Sequence, residues 1–325
     1  MKTKKKIYFI LLSLLFIPLL SAQNVGQYGP EDMKQLRNDL AKGTYDVYEL
    51  KSEGEYVIPT ILRPKSSFTI KAAPGLATKP ILSMASTIEV SSLAMFEPRN
   101  ENTVATFDGL EIVGTNPDAT AQPMLLYARK NATNCKVIIK NSYVHSFSEN
   151  NTLRFDVSNC DVEIENSVIS NIKGKFMNFF YGVTPQGVEH GGIKVTNTVF
   201  NNFTDKSQIV YYPNGTAKGT TAIFDHCTFI NSNSKLPLIM FRQMEDVVIK
   251  NSVFHQVNNG VLFQNAKLDY CYLGSTRANA TKGKIFPSNP APVFTDPENM
   301  DFEIKNKTSF VGNDGEPLGA TIINY

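Results

Sequence analysis

Two arginines and two tyrosines define the chemistry this chain could perform. Arg154, Tyr181, Tyr212 and Arg242 lie in or at the end of short apolar segments: Leu153-Arg154-Phe155-Asp156-Val157, Met177-Asn178-Phe179-Phe180-Tyr181, Ile209-Val210-Tyr211-Tyr212 and Leu238-Ile239-Met240-Phe241-Arg242. Guanidinium groups pair with carboxylates in a planar fork, and phenol rings present an apolar face with a polar tip. Counting alternate residues turns Phe155, Phe180, Tyr211 and Phe241 inward. The same count turns Arg154, Asp156, Tyr181, Tyr212 and Arg242 outward, with Gln264 of Val261-Leu262-Phe263-Gln264 beside them. A row of planar cations and rings suits an acidic sugar polymer: rings stack on its apolar faces and guanidinium groups meet its carboxylates.

A second group is acidic. Asp161, Glu163, Glu165 and Asp225 lie near Lys194, and oxygen ligands this dense could hold Ca²⁺. Alternation gives a simpler reading, in which these are solvent-facing residues of exposed strands and Glu163 pairs with Lys194 on the next strand. No metal ligand is assigned on this basis. His145, His190 and His255 show no ligand spacing. There is no nucleotide-binding loop, no Ser-His-Asp arrangement and no Cys-x-x-Cys pair.

The elements that must position these residues are legible because they repeat. Val137-Ile138-Ile139-Lys140-Asn141-Ser142-Tyr143-Val144 returns as Val162-Glu163-Ile164-Glu165-Asn166-Ser167-Val168-Ile169, then at Ile193 to Phe200 and at Val247 to Phe254. A fifth copy, Ala222 to Phe229, has His226 where the others have Asn. The steps are 25 (141 to 166), 31 (166 to 197), 29 (197 to 226) and 25 (226 to 251). Weaker copies lie at Thr106 to Ile112 and Leu268 to Leu273. Within a copy the apolar residues alternate, a strand period. Asn tolerates the left-handed bend that bulkier residues resist. One such unit cannot bury its apolar side alone, so it must stack on its copies. The pattern predicts an all-β fold, a single-stranded right-handed parallel β-helix (solenoid), with the bend residues in one column ~4.8 Å apart.

Composition bounds the rest. The chain has 325 residues and a net charge of +2, from 32 Lys and Arg against 30 Asp and Glu, which offers nothing for nucleic acid. Lys2, Lys4, Lys5 and Lys6 precede the apolar run Ile7 to Leu20 and the small residues Ser21-Ala22, so 1–22 reads as a secretory signal peptide cut after Ala22. No Cys near the cut suggests a lipid, so the mature chain is expected to be secreted or periplasmic, with no membrane span after cleavage, and monomeric. All four Cys read as buried small side chains. Cys135 and Cys160 share a register close enough to bridge, whereas Cys227 and Cys271 are two rungs apart.

The domain at 23–325 opens with Met33, Leu36 and Leu40 on one helical face, which predicts a capping helix over 30–42 that covers the apolar end of the coil. Loops at 183–191, 213–219 and 146–151, rich in Gly, Pro, Asn and Ser, should wall the face that carries Arg154. Residues 290–325 read as a degraded closing rung.

The Asn-(Ser/Thr)-x-(Val/Ile/Phe) ladder, the capping helix and the Asp296-Pro297, Asp301-Phe302, Leu318-Gly319-Ala320 tail resemble exported β-helix proteins of the pectin-lyase-like superfamily, closest to chondroitinase-B-like members. That resemblance implies a polysaccharide partner. An active lyase of this type would neutralise a uronic carboxylate with Arg154 or Arg242 and take the neighbouring proton with Tyr181, Tyr212 or an Arg. Glu163-Ile164-Glu165 is similar to the calcium-binding acidic pair of those lyases, but their downstream Lys and Arg motifs are not recognisable here. Phe224-Asp225-His226-Cys227 looks like the Asp-His strand motif of pectate lyases, yet its register makes His226 a ladder residue. The sequence therefore leads to a polysaccharide-binding protein engaged in acidic-glycan capture or degradation. An active lyase and a non-enzymatic adhesive or structural surface protein are the alternatives.

Overall fold

The computed structural model describes residues 23–85, 94–114, 123–129, 131–147, 151–179, 191–212, 217–241 and 244–322, and within these the side chains at 217–220, 241, 244–245, 259–265 and 279–281 are left aside. The expected signal peptide, Tyr181, Arg242, the side chain of Gln264 and much of the expected wall loops lie outside the described residues.

The chain winds as a parallel β-helix, with the right-handed sense that parallel crossovers take. Each full rung has three strands. The repeat motif supplies the first two, for example Lys136–Lys140 and Tyr143–His145. The next repeat supplies Asp161–Glu165 and Val168–Ser170. The third strand of successive rungs is Met124–Ala128, Asn151–Phe155, Lys175–Asn178, Gln208–Tyr212 and Ile239–Phe241. Second strands form a parallel 10-stranded sheet. First and third strands belong to a 17-stranded sheet because the long strand Asn259–Asp269 pairs with both kinds.

The bend residues pile up as expected. Lys140, Glu165, Thr196, Asp225 and Lys250, each immediately before a bend, are in consecutive register. Asn141, Asn166, Asn197, His226 and Asn251 have φ between +44° and +50°, as the left-handed bend requires. Asn side chains rung to rung donate downward: Asn141 Nδ2 to Asp108 Oδ1 at 2.7 Å, Asn166 to Asn141 at 3.5 Å and Asn197 to Asn166 at 2.8 Å. A second left-handed column stands five residues later, at Ser146, Asn171, Asn202, Asn231 and Gln256. There Asn202 donates to Asn171 at 2.5 Å.

Inward alternation builds the core. Phe200, Phe229 and Phe254 stack at centroid distances of 5.3 and 4.3 Å, Phe155 stacks on Phe179 at 4.9 Å, and Tyr212 packs tilted on Phe179 at 5.2 Å. A Cβ on Gly191 would run into the Cys160 carbonyl, so only glycine lets the chain enter the Ile193 strand at that distance. Cys135 and Cys160 are bonded to each other with Cα atoms 4.6 Å apart, which corrects their reading as free thiols. The side chains do share the inward register, and adjacent rungs bring them within reach. Cys227 and Cys271 are free and buried.

Outside the first strands, charge alternates up the coil. The register column Glu49, Lys71, Asp108, Lys140, Glu165, Thr196, Asp225, Lys250, Asp269 changes sign at every step except around Thr196. Lys71 pairs with Glu49 at 3.2 Å and Lys250 with Asp225 at 2.9 Å.

At the N-terminal end a 3-10 turn, Pro30–Asp32, leads into the helix Met33–Lys42, which stops at Gly43 in the left-handed region. Met33, Leu36 and Leu40 bury against the first rungs with Tyr28 and Tyr48, and Asp39 accepts the Tyr28 hydroxyl at 2.8 Å. Residues after Ala291 differ from the expected closing rung. Phe294–Asp296 and Asp301–Ile304 form an antiparallel pair outside both long sheets. Phe310, Leu318, Ala320 and Ile322 then pack on the outward side of Val168, Val199, Ile230 and Val253. These outward residues are apolar, so the tail gains more by covering them than by adding a strand. Among the described residues, no helix is long and apolar enough to cross a membrane.

Candidate functional site

The third strands carry one outward column. Phe96 pairs with Leu126, so Glu97 stands beside Tyr127; the Leu62–Phe96 bridge puts Arg63 beside Glu97. Tyr127 pairs with Arg154, Arg154 with Asn178, Asn178 with Tyr211 and Tyr211 with Met240. At ~4.8 Å per rung, Arg63 to Met240 spans about 29 Å. Two residues along each strand, Arg99, Arg129 and Asp156 form a second column by the same registers.

Glu97 anchors the lower end. It is 2% exposed and takes three arginines: Arg129 Nε at 2.7 Å, Arg99 at 3.2 Å and Arg63 Nε at 3.3 Å. Burial works against its ionisation, but the hydrogen bond from Arg129 and the charges of all three arginines outweigh it and hold the carboxyl below its ordinary range. The three guanidinium groups are thus held together on one shared carboxylate.

Asp156 anchors the next stretch. Arg154 donates to it through Nε and Nη2, both at 2.9 Å, and Tyr127 donates its hydroxyl at 2.6 Å. The Tyr127 ring lies between two guanidinium groups, 5.1 Å from that of Arg154 and 5.3 Å from that of Arg129. Burial, then the bond to Asp156, pushes the Tyr127 phenol above its ordinary value. Further up, Lys175 Nζ sits 3.5 Å from the Tyr211 ring centroid, and Asn178 donates to Asn151 at 2.8 Å. Burial, and then the charge of Arg154, lowers the Lys175 ammonium. Among the described residues, the two columns and Lys175 set Arg63, Arg99, Arg129, Arg154 and Lys175 against Glu97 and Asp156, a net of three positive charges.

Of the residues singled out from sequence, Arg154 and Asp156 stand together on this face. Tyr212 does not. It is fully buried, packed 5.2 Å from Phe179, and Tyr211 takes the outward position. The inward residue one rung below is Phe179, and Phe180 lies outside the described residues; the alternation that turned Tyr211 inward is off by one, which exchanges the two sides. Sequence reasoning missed Arg63, Glu97, Arg99, Tyr127, Arg129, Lys175 and Tyr211. Aligning Leu126-Tyr127-Ala128 with Leu153-Arg154-Phe155 would have found Tyr127 and Arg129; the irregular spacing of the early rungs hid Arg63, Glu97 and Arg99, the alternation slip hid Tyr211, and Lys175 precedes the strand positions that were counted.

The acidic group is spent on neighbours. Glu163 meets Lys136 at 2.7 Å and Lys194 at 4.0 Å, and Asp161 accepts the Gly192 amide at 2.5 Å. The carboxylates therefore do not converge as Ca²⁺ would need. Among the described residues, no three His, Cys, Asp or Glu side chains gather into a metal-holding group.

Compared with known proteins, the chain matches no family model and no curated protein. Among solved structures it is similar to the Streptococcus pneumoniae surface protein and adhesin PfbA, at 11% identity and a TM-score of 0.33, over 80% of this chain and 97% of that one. A match at that level carries no function across.

Proposed function

We propose that this is an exported, non-catalytic β-helix protein that captures an acidic polysaccharide along its third-strand face. The observation that carries the reading is the Arg63 to Tyr211 column, where cations and aromatic rings recur at rung spacing over a net positive surface. A linear anionic polymer lying along the coil axis would meet a guanidinium or a ring at nearly every rung. The same groups are poorly set for lyase chemistry. Arg154 is engaged by Asp156, the Tyr127 phenol is a hydrogen-bond donor with a raised pKa, and Tyr212 is in the core. Export belongs to the same reading, since a bonded Cys135–Cys160 pair suits an oxidising compartment.

The test is native affinity electrophoresis in gels cast with acidic or neutral polysaccharides, alongside ultraviolet detection of the unsaturated product that a lyase would release. Retardation by acidic glycans alone, weakened by Arg154→Ala and by Tyr211→Ala, with no absorbance gain, is expected. A steady absorbance gain would make it a lyase. Equal mobility in every gel would leave the coil as a stalk for adhesion.

A further inference from the structure

We infer that residues 310–322 form a strap along the outside of the coil, and that the charge on His226 sets how firmly it is held. The strap runs down the bend column. Gly312 and Asn313 lie at Asn251, with the Asn313 amide donating to Asn251 Oδ1 at 3.0 Å. The Gly319 amide donates to the Asn251 carbonyl at 2.8 Å and the Ala320 amide to Thr228 Oγ1 at 2.9 Å. The Thr321 amide reaches Asn197 Oδ1 at 2.7 Å. Its apolar residues, Phe310, Leu318 and Ile322, close over Val168, Val199 and Val253.

His226 makes this path available in two ways. First, an Asn at this rung would aim its amide at Asn197 Oδ1, as Asn197 does toward Asn166. With His there, that oxygen goes to the strap. Second, the imidazole lies between two carboxylates. Its Nδ1 is 3.1 Å from Asp225 of its own strand and its Nε2 is 3.4 Å from Asp314 of the strap. Lys250, on the rung above, meets Asp225 from the other side at 2.9 Å. Asn251 ties both acids together, donating to Asp225 at 2.9 Å and to Asp314 at 3.2 Å. A cationic His226 bridges coil to strap; a neutral one leaves two acids facing each other across it.

The direction follows from linkage. The hydrogen bond to Asp225 raises the His226 pKa, burial and Lys250 oppose it, and Asp314 adds to it. A folded value above the unfolded one gives a contribution fully present below the unfolded value, near 6.5, and lost as pH rises through the folded value. Burial disfavours the Asp225 charge, yet bonds from His226, Lys250 and Asn251 hold its pKa far below the usual range, so Asp225 stays an anion throughout.

The experiment is hydrogen exchange read by mass spectrometry on the strap peptide, comparing the native chain with His226→Asn and Asp314→Asn at each pH, so that the intrinsic pH dependence cancels. Asn is the common ladder residue and keeps the left-handed bend. At about pH 5 the native strap should exchange up to about fivefold more slowly than either variant, the scale of one partly exposed ion pair. At about pH 9, well above the ordinary histidine value, the native chain and Asp314→Asn should converge, while His226→Asn keeps only the pH-independent part of its difference, from an amide competing for Asn197 Oδ1. Peptides from the Val199–Asn201 and Thr228–Ser232 strands should be unchanged. Parallel curves for native and variant chains across pH would overturn the inference. So would coil peptides that open together with the strap.

Discussion

Glu97→Gln is the most informative single change. Glutamine keeps the shape and one acceptor but turns an amide toward three guanidinium groups, which have donors only. Removing one partner from a buried ion pair costs roughly 3–5 kcal/mol. Here the three arginine side chains are 33–46% exposed and can rehydrate, so the surface-pair scale of up to ~1 kcal/mol per contact is the better guide. Three contacts then give a loss of about 2 kcal/mol. Urea unfolding at neutral pH, followed by far-ultraviolet circular dichroism, measures it. A double-mutant cycle with Arg129→Ala, the shortest contact, should return a coupling of about 1 kcal/mol. The pH dependence is fixed in sign. A carboxyl whose folded pKa is depressed contributes above its unfolded value and loses that contribution as pH falls through the folded one, so the Gln penalty should shrink in acid. Binding gives the sharper outcome. The substitution adds a positive charge to the face yet loosens the arginines, so acidic-glycan retardation should weaken. Stronger retardation in Glu97→Gln, or a stability cost under ~0.5 kcal/mol at neutral pH, would refute the idea that this carboxylate organises the site.

Four further outcomes follow from the same structure. Tyr211→Ala should reduce glycan retardation several-fold while Tyr212→Phe leaves it unchanged, because only Tyr211 faces outward. Asn197→Ala should cost about 2 kcal/mol, from left-handed backbone strain of about 1–2 kcal/mol and the lost bonds to Asn166 and Thr321, and Asn197→Gly should recover the backbone part in urea unfolding. Reducing the Cys135–Cys160 bond, which closes a separation of 25 residues, should lower stability by up to about 3.5 kcal/mol on the chain-entropy estimate, read as a shift in urea midpoint. Native Cys227 and Cys271 should resist thiol reagents in the same samples, since burial pushes Cys271 up to about 12 and Cys227 higher.

The coil was legible because Asn141, Asn166, Asn197 and Asn251 carry a backbone requirement that few residue types satisfy. A chemical type standing for a dihedral angle is a strong signal. The second bend column was equally readable, five residues after each ladder position, but Ser146 and Gln256 dilute its Asn content. The third strands were harder. Phe179-Phe180 and Tyr211-Tyr212 place large apolar rings at adjacent positions, so period two has no phase there and the choice of inward residue is set by the rung below. The tail was misread for a related reason. In Val168-Ile169, Val199-Phe200 and Val253-Phe254 both sides of the strand are apolar, which means both are covered. Read as core, the first member of each pair hid the surface on which Phe310 and Leu318 lie. Arg99 is two residues from Glu97, but nothing local marked the convergence of Arg63 and Arg129 on that carboxylate, since it depends on registers between rungs of unequal length.

The alternating column from Glu49 to Asp269 also has a consequence for how such a coil can change length. Removing the rung of Lys140 alone would set Asp108 against Glu165, and removing that of Thr196 would set Glu165 against Asp225. Each juxtaposes like charges, at up to ~1 kcal/mol per pair. Excising the Lys140 and Glu165 rungs together leaves Asp108 beside neutral Thr196 and offends nothing. The surface therefore keeps a parity: this solenoid can gain or lose turns in twos, and an odd change needs a neutral turn such as that of Thr196 to absorb it.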